Sequence, residues 1–389
     1  MALFLPIEIT TKIFRLCSQS EFLALCRTNK TFRDIAEPLT YRDIRISFRD
    51  VKTQAQINKA YHRVVCLYEA LKNDTTKAAM VNRLEVAELT DHKPSSGCAA
   101  IEFTPVCYMP PSEFTGAEET RRQEKRSSIT LLTLLEHVSA PSLHEFKLDI
   151  TEDILNVRID HQWAGRYTAY TPRAPLPYFL QRHLHLRRVV LRIEDTMPDN
   201  HLENFALSMP KLEQFEAPEI YFRSLTKDTP LKLASISLIN VNLSQPFHMR
   251  LDEVLARFQS YVELKSLTLR MENFDHETIK IIARRLPDLD QLEICHELYM
   301  YRLPTSTDGI SDMAKALSKF TGLRHITFLW VLRNSIGTVD DRNQDVDQET
   351  VSSWGEACST LACCSIYGSV WKRTGYGDVW TCSSRSQSD

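Results

Sequence analysis

LKSLTL at residues 264–269 and LDQLEI at 289–294 share one pattern: apolar, two free positions, apolar, one free position, apolar. The last two apolar residues are two apart, so they point to one side of a strand, and the first lies where the chain turns into it. The same pattern recurs as VNRLEV from 81, LHEFKL from 143, LRRVVL from 186, LEQFEA from 212, LASISL from 233, LRHITF from 323 and LACCSI from 361. Between copies, apolar residues fall at helical spacing. The stripes are Leu202, Phe205, Ala206 and Met209; Leu251, Val254, Leu255 and Phe258; Ile279, Ile282, Ala283 and Leu286; and Ile310, Met313, Ala314 and Leu317. Asp275 and Asp308 are placed to cap the last two helices. The expected class is mixed α and β, one strand and one helix per unit.

A stacked strand-and-helix unit resembles the leucine-rich-repeat plan, with two departures. Copies start 21 to 62 residues apart, whereas regular leucine-rich repeats are about 20 to 29 residues long. The asparagine or cysteine expected three positions past the last apolar residue is missing from every copy. The resemblance therefore implies an irregular, degenerate solenoid with insertions. The alternative is an α/β domain whose parallel sheet carries the same pattern. By alternation, the strand positions facing away from the core include Glu145, Lys147, Arg188, Arg192, Glu216, Ser237, Thr268, Arg270, Glu293 and Thr327. These are the candidate target-binding residues, and their mixed charge suits a polar protein surface. A one-residue slip in register would turn all of them inward.

The N-terminal stretch LPIEITTKIFRL, Leu5 to Leu16, reads as a separate module. Pro6 suits a first helical turn, because its fixed φ fits there and its missing N–H would have no intrahelical partner. Leu5, Ile9, Ile13 and Leu16 form one stripe, with Glu8, Thr11, Lys12 and Arg15 facing away. Ser20 is placed to cap a second helix carrying Phe22, Leu25 and Cys26, and Asn29 and Lys30 interrupt it. A third helix turns Phe32, Ile35 and Ala36 inward, and Pro38 is expected to end it. A strand from Ile44 to Phe48 follows. So few residues bury little on their own, and chains below about 40 residues usually need a disulfide, a metal or a partner.

The string from Leu5 to Ile46 resembles an F-box, most closely those of the large fungal F-box families, in which a proline, a tyrosine and a short strand follow the box. Pro38, Tyr41 and Ile44 to Phe48 match that exit, and Phe32 stands where many F-boxes carry a late tryptophan. The resemblance implies docking on the Skp adaptor of a cullin-RING ubiquitin ligase. The adaptor-binding residues it implies are Leu5, Pro6, Ile9, Ile13, Leu16, Phe22, Leu25 and Phe32.

Composition excludes several classes. Hydrophobic content of 43% and charged content of 25% are those of an ordinary globular chain. A net charge of −3, with no basic stripe interleaved with aromatics, gives no pull toward nucleic acid. No stretch approaches the about 18 apolar residues of a membrane span. The 10 cysteines are scattered without paired CxxC motifs, so Cys358, Cys363 and Cys364 are expected as reduced, buried thiols in the cytoplasm or nucleus. No nucleophile elbow, phosphate loop or HExxH occurs, and 10 glycines leave little room for phosphate cradles. His183 and His185 are expected as a surface pair rather than a metal site, and no cofactor is called for.

The expected organisation is a box and exit strand at 1–48, a repeat domain at 49–371 with insertions near 91–128 and 334–349, and a partly disordered tail at 372–389. Trp354, Leu361, Ile366 and Trp371, with turns at Gly368 and Gly375, would close the end of the repeats, since an uncapped end exposes core. With the F-box resemblance, the expected function is the substrate-recognition subunit of a Skp-cullin-F-box ubiquitin ligase, not itself an enzyme, that binds an unidentified target protein. The alternative is a scaffold that binds the adaptor without assembling a ligase.

Overall fold

All nine copies of the pattern lie in or lead into β-strands. The computed structural model describes residues 12, 21, 24, 30–47, 66–67, 69–87, 139–150, 175–193, 206–238, 247–271, 274–296, 307–330, 344–366, 369–374 and 379–384. The chain forms two compact units, Met1–Thr196 and Met197–Asp389.

In the first unit the described elements are α1 (Lys30–Arg42), β1 (Asp43–Ser47), α2 (Thr75–Met80), β2 (Arg83–Ala87), β3 (Glu145–Ile150), α3 (Pro175–Arg182) and β4 (Arg188–Ile193). The strands pair in parallel in chain order, with Ile44, Leu84, Phe146 and Val189 side by side. Because β1 is hydrogen-bonded to β2, the exit strand belongs to the same sheet as the first repeats, and no unit boundary falls at residue 48.

One face of these strands is closed. Leu84, Val86, Phe146, Leu148, Val189 and Leu191 are all buried, and the Phe146 ring packs 4.6 Å from that of Phe179 on α3. The leading apolar residue of each copy, Val81, Leu143 or Leu186, is buried at the strand start. The residue after it supplies a carbonyl that accepts two backbone N–H groups from the next copy. Asn82 O receives His144 N and Glu145 N at 2.8 and 3.1 Å, and His144 O receives Arg187 N and Arg188 N at 2.8 and 3.1 Å. This backbone ladder pairs the strand starts.

Pro38 does not end the helix that carries it: α1 runs through it to Arg42. Ala36 is fully buried, the Thr40 hydroxyl donates to Ala36 O at 2.9 Å, and Lys77 on α2 pairs with Glu37 at 3.4 Å. Packing against α2 outweighs the local preference of a residue before proline. Asp74 caps α2 by accepting from Thr76 N and Lys77 N.

The second unit holds β5 (Gln214–Pro218), α4 (Glu219–Ser224), β6 (Leu233–Ser237), α5 (Phe247–Phe258), β7 (Ser266–Met271), α6 (His276–Arg285), β8 (Gln291–His296), α7 (Thr307–Leu317), β9 (His325–Trp330), α8 (Gln344–Ala357), β10 (Cys363–Ile366), β11 (Ser369–Arg373) and β12 (Trp380–Ser384). Strands β5 to β10 pair in parallel in chain order. Strands β11 and β12 then join antiparallel. Helices α5 to α8 pack each on the next. The stripes Leu251, Val254, Leu255, Phe258 and Ile279, Ile282, Ala283 are buried as the spacing predicts, and Asp275 caps α6 by accepting from Thr278 N at 2.9 Å.

Several expectations on this unit are corrected. The copy placed at Leu233 starts at Leu231: Ala234 and Ile236, not Ile236 and Leu238, align with Phe215 and Ala217 on β5 and with Leu267 and Leu269 on β7. Alanine occupies a core position there, and an apolar-only template slides two residues to the next branched side chain. The described part of the expected Leu202–Met209 helix is not helical. Leu207 bridges Leu225, and Leu207 and Met209 are buried while Ala206 is exposed, an alternation of period two.

Asp308 lies inside α7, which starts at Thr307. The acidic 334–349 insertion is part helix, since α8 begins at Gln344 and takes in Asp345, Asp347 and Glu349. Carboxylates suit the first turns, where they face the positive end of the helix dipole. Within the 372–389 tail, Trp380–Ser384 form β12 and Trp380 is buried. Its ring lies over Gly355, where an added Cβ would come within 2.6 Å of it, so a glycine on α8 makes room for the closing strand. The Trp354 and Phe328 rings are 5.6 Å apart, and Trp371 is buried on β11. Cys358 and Cys364 are buried thiols and Cys363 is half-buried, all unbridged. The insertion at 91–128 lies outside the described residues.

Candidate functional site

Strand alternation gives each unit a second face, opposite the core, and all ten candidate target-binding residues stand on it. In the first unit its positions are charged in alternation across the strands. Asp43, Arg83, Glu145 and Arg188 are neighbours in register, as are Arg45, Glu85 and Lys147, and so are Asp149 and Arg192.

Glu85 is the hub. Its side chain is 8% exposed and accepts from Lys147 Nζ at 2.8 Å, Arg45 Nε at 3.0 Å and Arg83 Nη2 at 3.4 Å. Burial alone would raise its carboxyl pKa, but the hydrogen bonds and charges of Lys147 and Arg45 overcome this and hold it below its ordinary value. Arg83 also reaches Glu145 at 3.5 Å, and Arg192 reaches Asp149 at 3.7 Å. The face is largely self-neutralised, with Arg188 exposed beside it.

In the second unit the face is built differently. One row runs Glu216, Ser235, Thr268, Glu293, Thr327 and Ser365 across β5 to β10, and the next holds Ser237, Arg270 and Cys295. Among the described residues of these rows, the cross-strand ion pair is Arg270 Nη2 to Glu216 at 3.5 Å. Arg270 Nε is buried and has no hydrogen-bond partner among the described residues. Glu293 takes a weak 3.5 Å contact from the Cys295 thiol. Small hydroxyl side chains therefore surround few charges.

Sequence reasoning placed Glu145, Lys147, Arg188, Arg192, Glu216, Ser237, Thr268, Arg270, Glu293 and Thr327 on this face but omitted Glu85, Arg45 and Asp149. The same alternation would have found Glu85, which sits between Leu84 and Val86. Of the candidate adaptor-binding residues, Leu5, Pro6, Ile9, Ile13, Leu16, Phe22 and Leu25 lie outside the described residues. Phe32 is half-buried on α1.

His183 is corrected: it is buried rather than on the surface, while His185 is exposed. Its Nδ1 hydrogen goes to Phe179 O at 2.7 Å and its Nε2 accepts from Ala140 N at 3.0 Å. Only the neutral ring, protonated at Nδ1, can make the two together, because a charged ring has no acceptor nitrogen. Burial, with the nearby Arg182 charge, outweighs the Phe179 bond and lowers the His183 pKa. Burial also pushes the Cys363 and Cys364 thiols up.

Among the described residues no group of three or more His, Cys, Asp or Glu side chains is arranged to hold a metal ion, and no helix is long and apolar enough to cross a membrane. A groove of about 400 Å³ between α7 and α8 is lined by Ile310, Ala314, Lys315, Glu349, Ser353 and Ala357, among others. No model of a known protein family matches the chain, and no curated protein matches its sequence.

Proposed function

We propose that this chain is the substrate-recognition subunit of a Skp-cullin-F-box ubiquitin ligase. In this reading residues 1–48 form the box that docks on the Skp adaptor, and the following copies form an irregular leucine-rich-repeat-like domain that holds a target protein on its polar strand face. The chain performs no chemistry. Its contribution is positional, because tethering raises the effective concentration of target lysines beside the ubiquitin carrier.

The observation that carries the reading is the junction after the box-like sequence. The helix Lys30–Arg42 runs without a linker into β1, and β1 pairs with β2. A small helical module joined in this way to a repeat sheet would hold its cargo at a fixed offset from the adaptor, as a receptor requires. The leucine-proline stripe at Leu5–Leu16 in the sequence agrees with it. Cytoplasmic or nuclear residence is part of the same proposal.

Co-purification of the tagged full chain from cells tests it. Recovery of both the Skp adaptor and a cullin is the expected result. Recovery of the adaptor alone would support a non-ligase scaffold, and recovery of neither would remove the proposal.

A further inference from the structure

We infer that Glu293 is the recognition point for a basic side chain, lysine or arginine, of the protein bound on the strand face of the second unit. The inference rests on the proposed role of that face in target binding and specifies the chemistry of its occupant.

On the described strand faces, Asp43, Glu85, Glu145, Asp149 and Glu216 each have a cation within 4 Å. Glu293 is the exception among the described residues. Its neighbours in register are Thr268 on β7 and Thr327 on β9, followed in the same row by Ser235 and Ser365. None of these four hydroxyls has a hydrogen-bond partner among the described residues. Glu293 itself is half-buried, and its hydrogen-bond donor among the described residues is the weak S–H of Cys295.

These groups select a ligand by elimination. Lysine and arginine heads are donors only, so they need acceptors, and a carboxylate between two hydroxyls offers several at one level of the sheet. An apolar ligand would strip water from the carboxylate without replacing its hydrogen bonds. An anionic ligand would meet the like charge of Glu293, while the Arg270 charge is already engaged by Glu216. The short side chains on either side leave space for a long aliphatic stem to lie across the sheet, as the stems of basic residues do on apolar and small-residue surfaces. The charge-assisted bond would form in a partly desolvated setting, where it is stronger than on an open surface.

The test uses the purified full chain and a random peptide library displayed on phage. Selection on the wild-type chain should enrich peptides sharing one lysine or arginine position. The strongest peptide, labelled for fluorescence anisotropy, should bind Glu293→Gln about tenfold more weakly and Glu356→Gln, an exposed position on α8, with unchanged affinity. Glu293→Lys should abolish binding, and a peptide with glutamate at the shared basic position should recover it on that variant. Unchanged melting of the Glu293 variants would assign the loss to the contact rather than to folding.

No enriched peptide, enrichment without a basic position, or binding indifferent to Glu293→Gln would each overturn the inference. Adaptor co-purification reads a different region, residues 1–48. Indifference at Glu293 with the adaptor retained would remove this inference alone, and loss of the adaptor with the Glu293 effect intact would remove only the ligase proposal.

Discussion

The strand faces opposite the core differ between the two units, although the inward faces follow one rule. In the first unit Glu85 gathers Lys147, Arg45 and Arg83, Glu145 shares Arg83, and Asp149 pairs with Arg192. In the second, Ser235, Ser237, Thr268, Thr327 and Ser365 replace most of those charges. Inward positions must fill a core, so they vary little. Outward positions answer only to neighbours and ligands, so one unit can use them for mutual neutralisation while the other leaves them open. The charged face is held by its own ion pairs, and the hydroxyl face carries few.

The shared inward rule predicts the largest effects. Phe146→Ala in the first unit and Phe215→Ala in the second each remove a ring that is at most 1% exposed, and each should cost about 3–5 kcal/mol. Hydrogen exchange of the strand amides in the mutated unit would measure this. A large cost in one unit and a negligible one in the other would break the common rule.

The outward faces should then diverge. Glu85→Ala leaves three cations crowded around a vacated acceptor and should destabilise by about 2–3 kcal/mol, whereas Glu293→Ala should stay within about 0.5 kcal/mol. Equal costs would mean that the two faces are not different in kind. The sign of the acid response follows from the depressed Glu85 pKa. Its contribution is present above the ordinary value of 4.5 and is lost as the pH falls through the lower folded value. An acid titration of the first unit's exchange protection should show that loss, and Glu85→Gln should remove it.

His183 gives a smaller test, confined to the first unit. Its folded pKa lies below 6.5, so the unfolded chain binds the proton first as pH falls. Stability should therefore be complete above pH 6.5 and decline as the pH falls from 6.5 toward the folded value. His183→Gln should flatten that slope in urea titrations and cost about 1 kcal/mol at neutral pH through the disturbed bond to Ala140. A slope unchanged by the substitution would contradict the neutral, doubly bonded ring.

Much of this was legible from the pattern itself. Two-residue spacing in LKSLTL and LDQLEI set strand and register, so Thr268, Arg270 and Glu293 fell on the correct face. The register failed at 233, where Ala234 holds a core place without the bulk that marks one. It also failed to foresee helix at Asp345 and Asp347, whose charge resembles a loop's yet suits a helix start. Trp380 was missed because its burial depends on Gly355, a contact across the closing strand that no local spacing encodes. His183 looked like half of a surface pair because the backbone groups that bury it, at Phe179 and Ala140, are not adjacent to it in the chain.

The account turns on the box-like N-terminus, and direct titration of the purified full chain with a purified Skp adaptor tests it. A complex of micromolar or tighter affinity, about 8 kcal/mol or more in total, is expected for the wild type. Leu5→Asp with Ile9→Asp should abolish it, because each would bury an unpaired charge in the contact, while the peptide affinity at Glu293 and the exchange protection of β5 to β10 stay unchanged. Wild-type affinity for the adaptor in the double variant, or no measurable affinity in the wild type, would contradict the account.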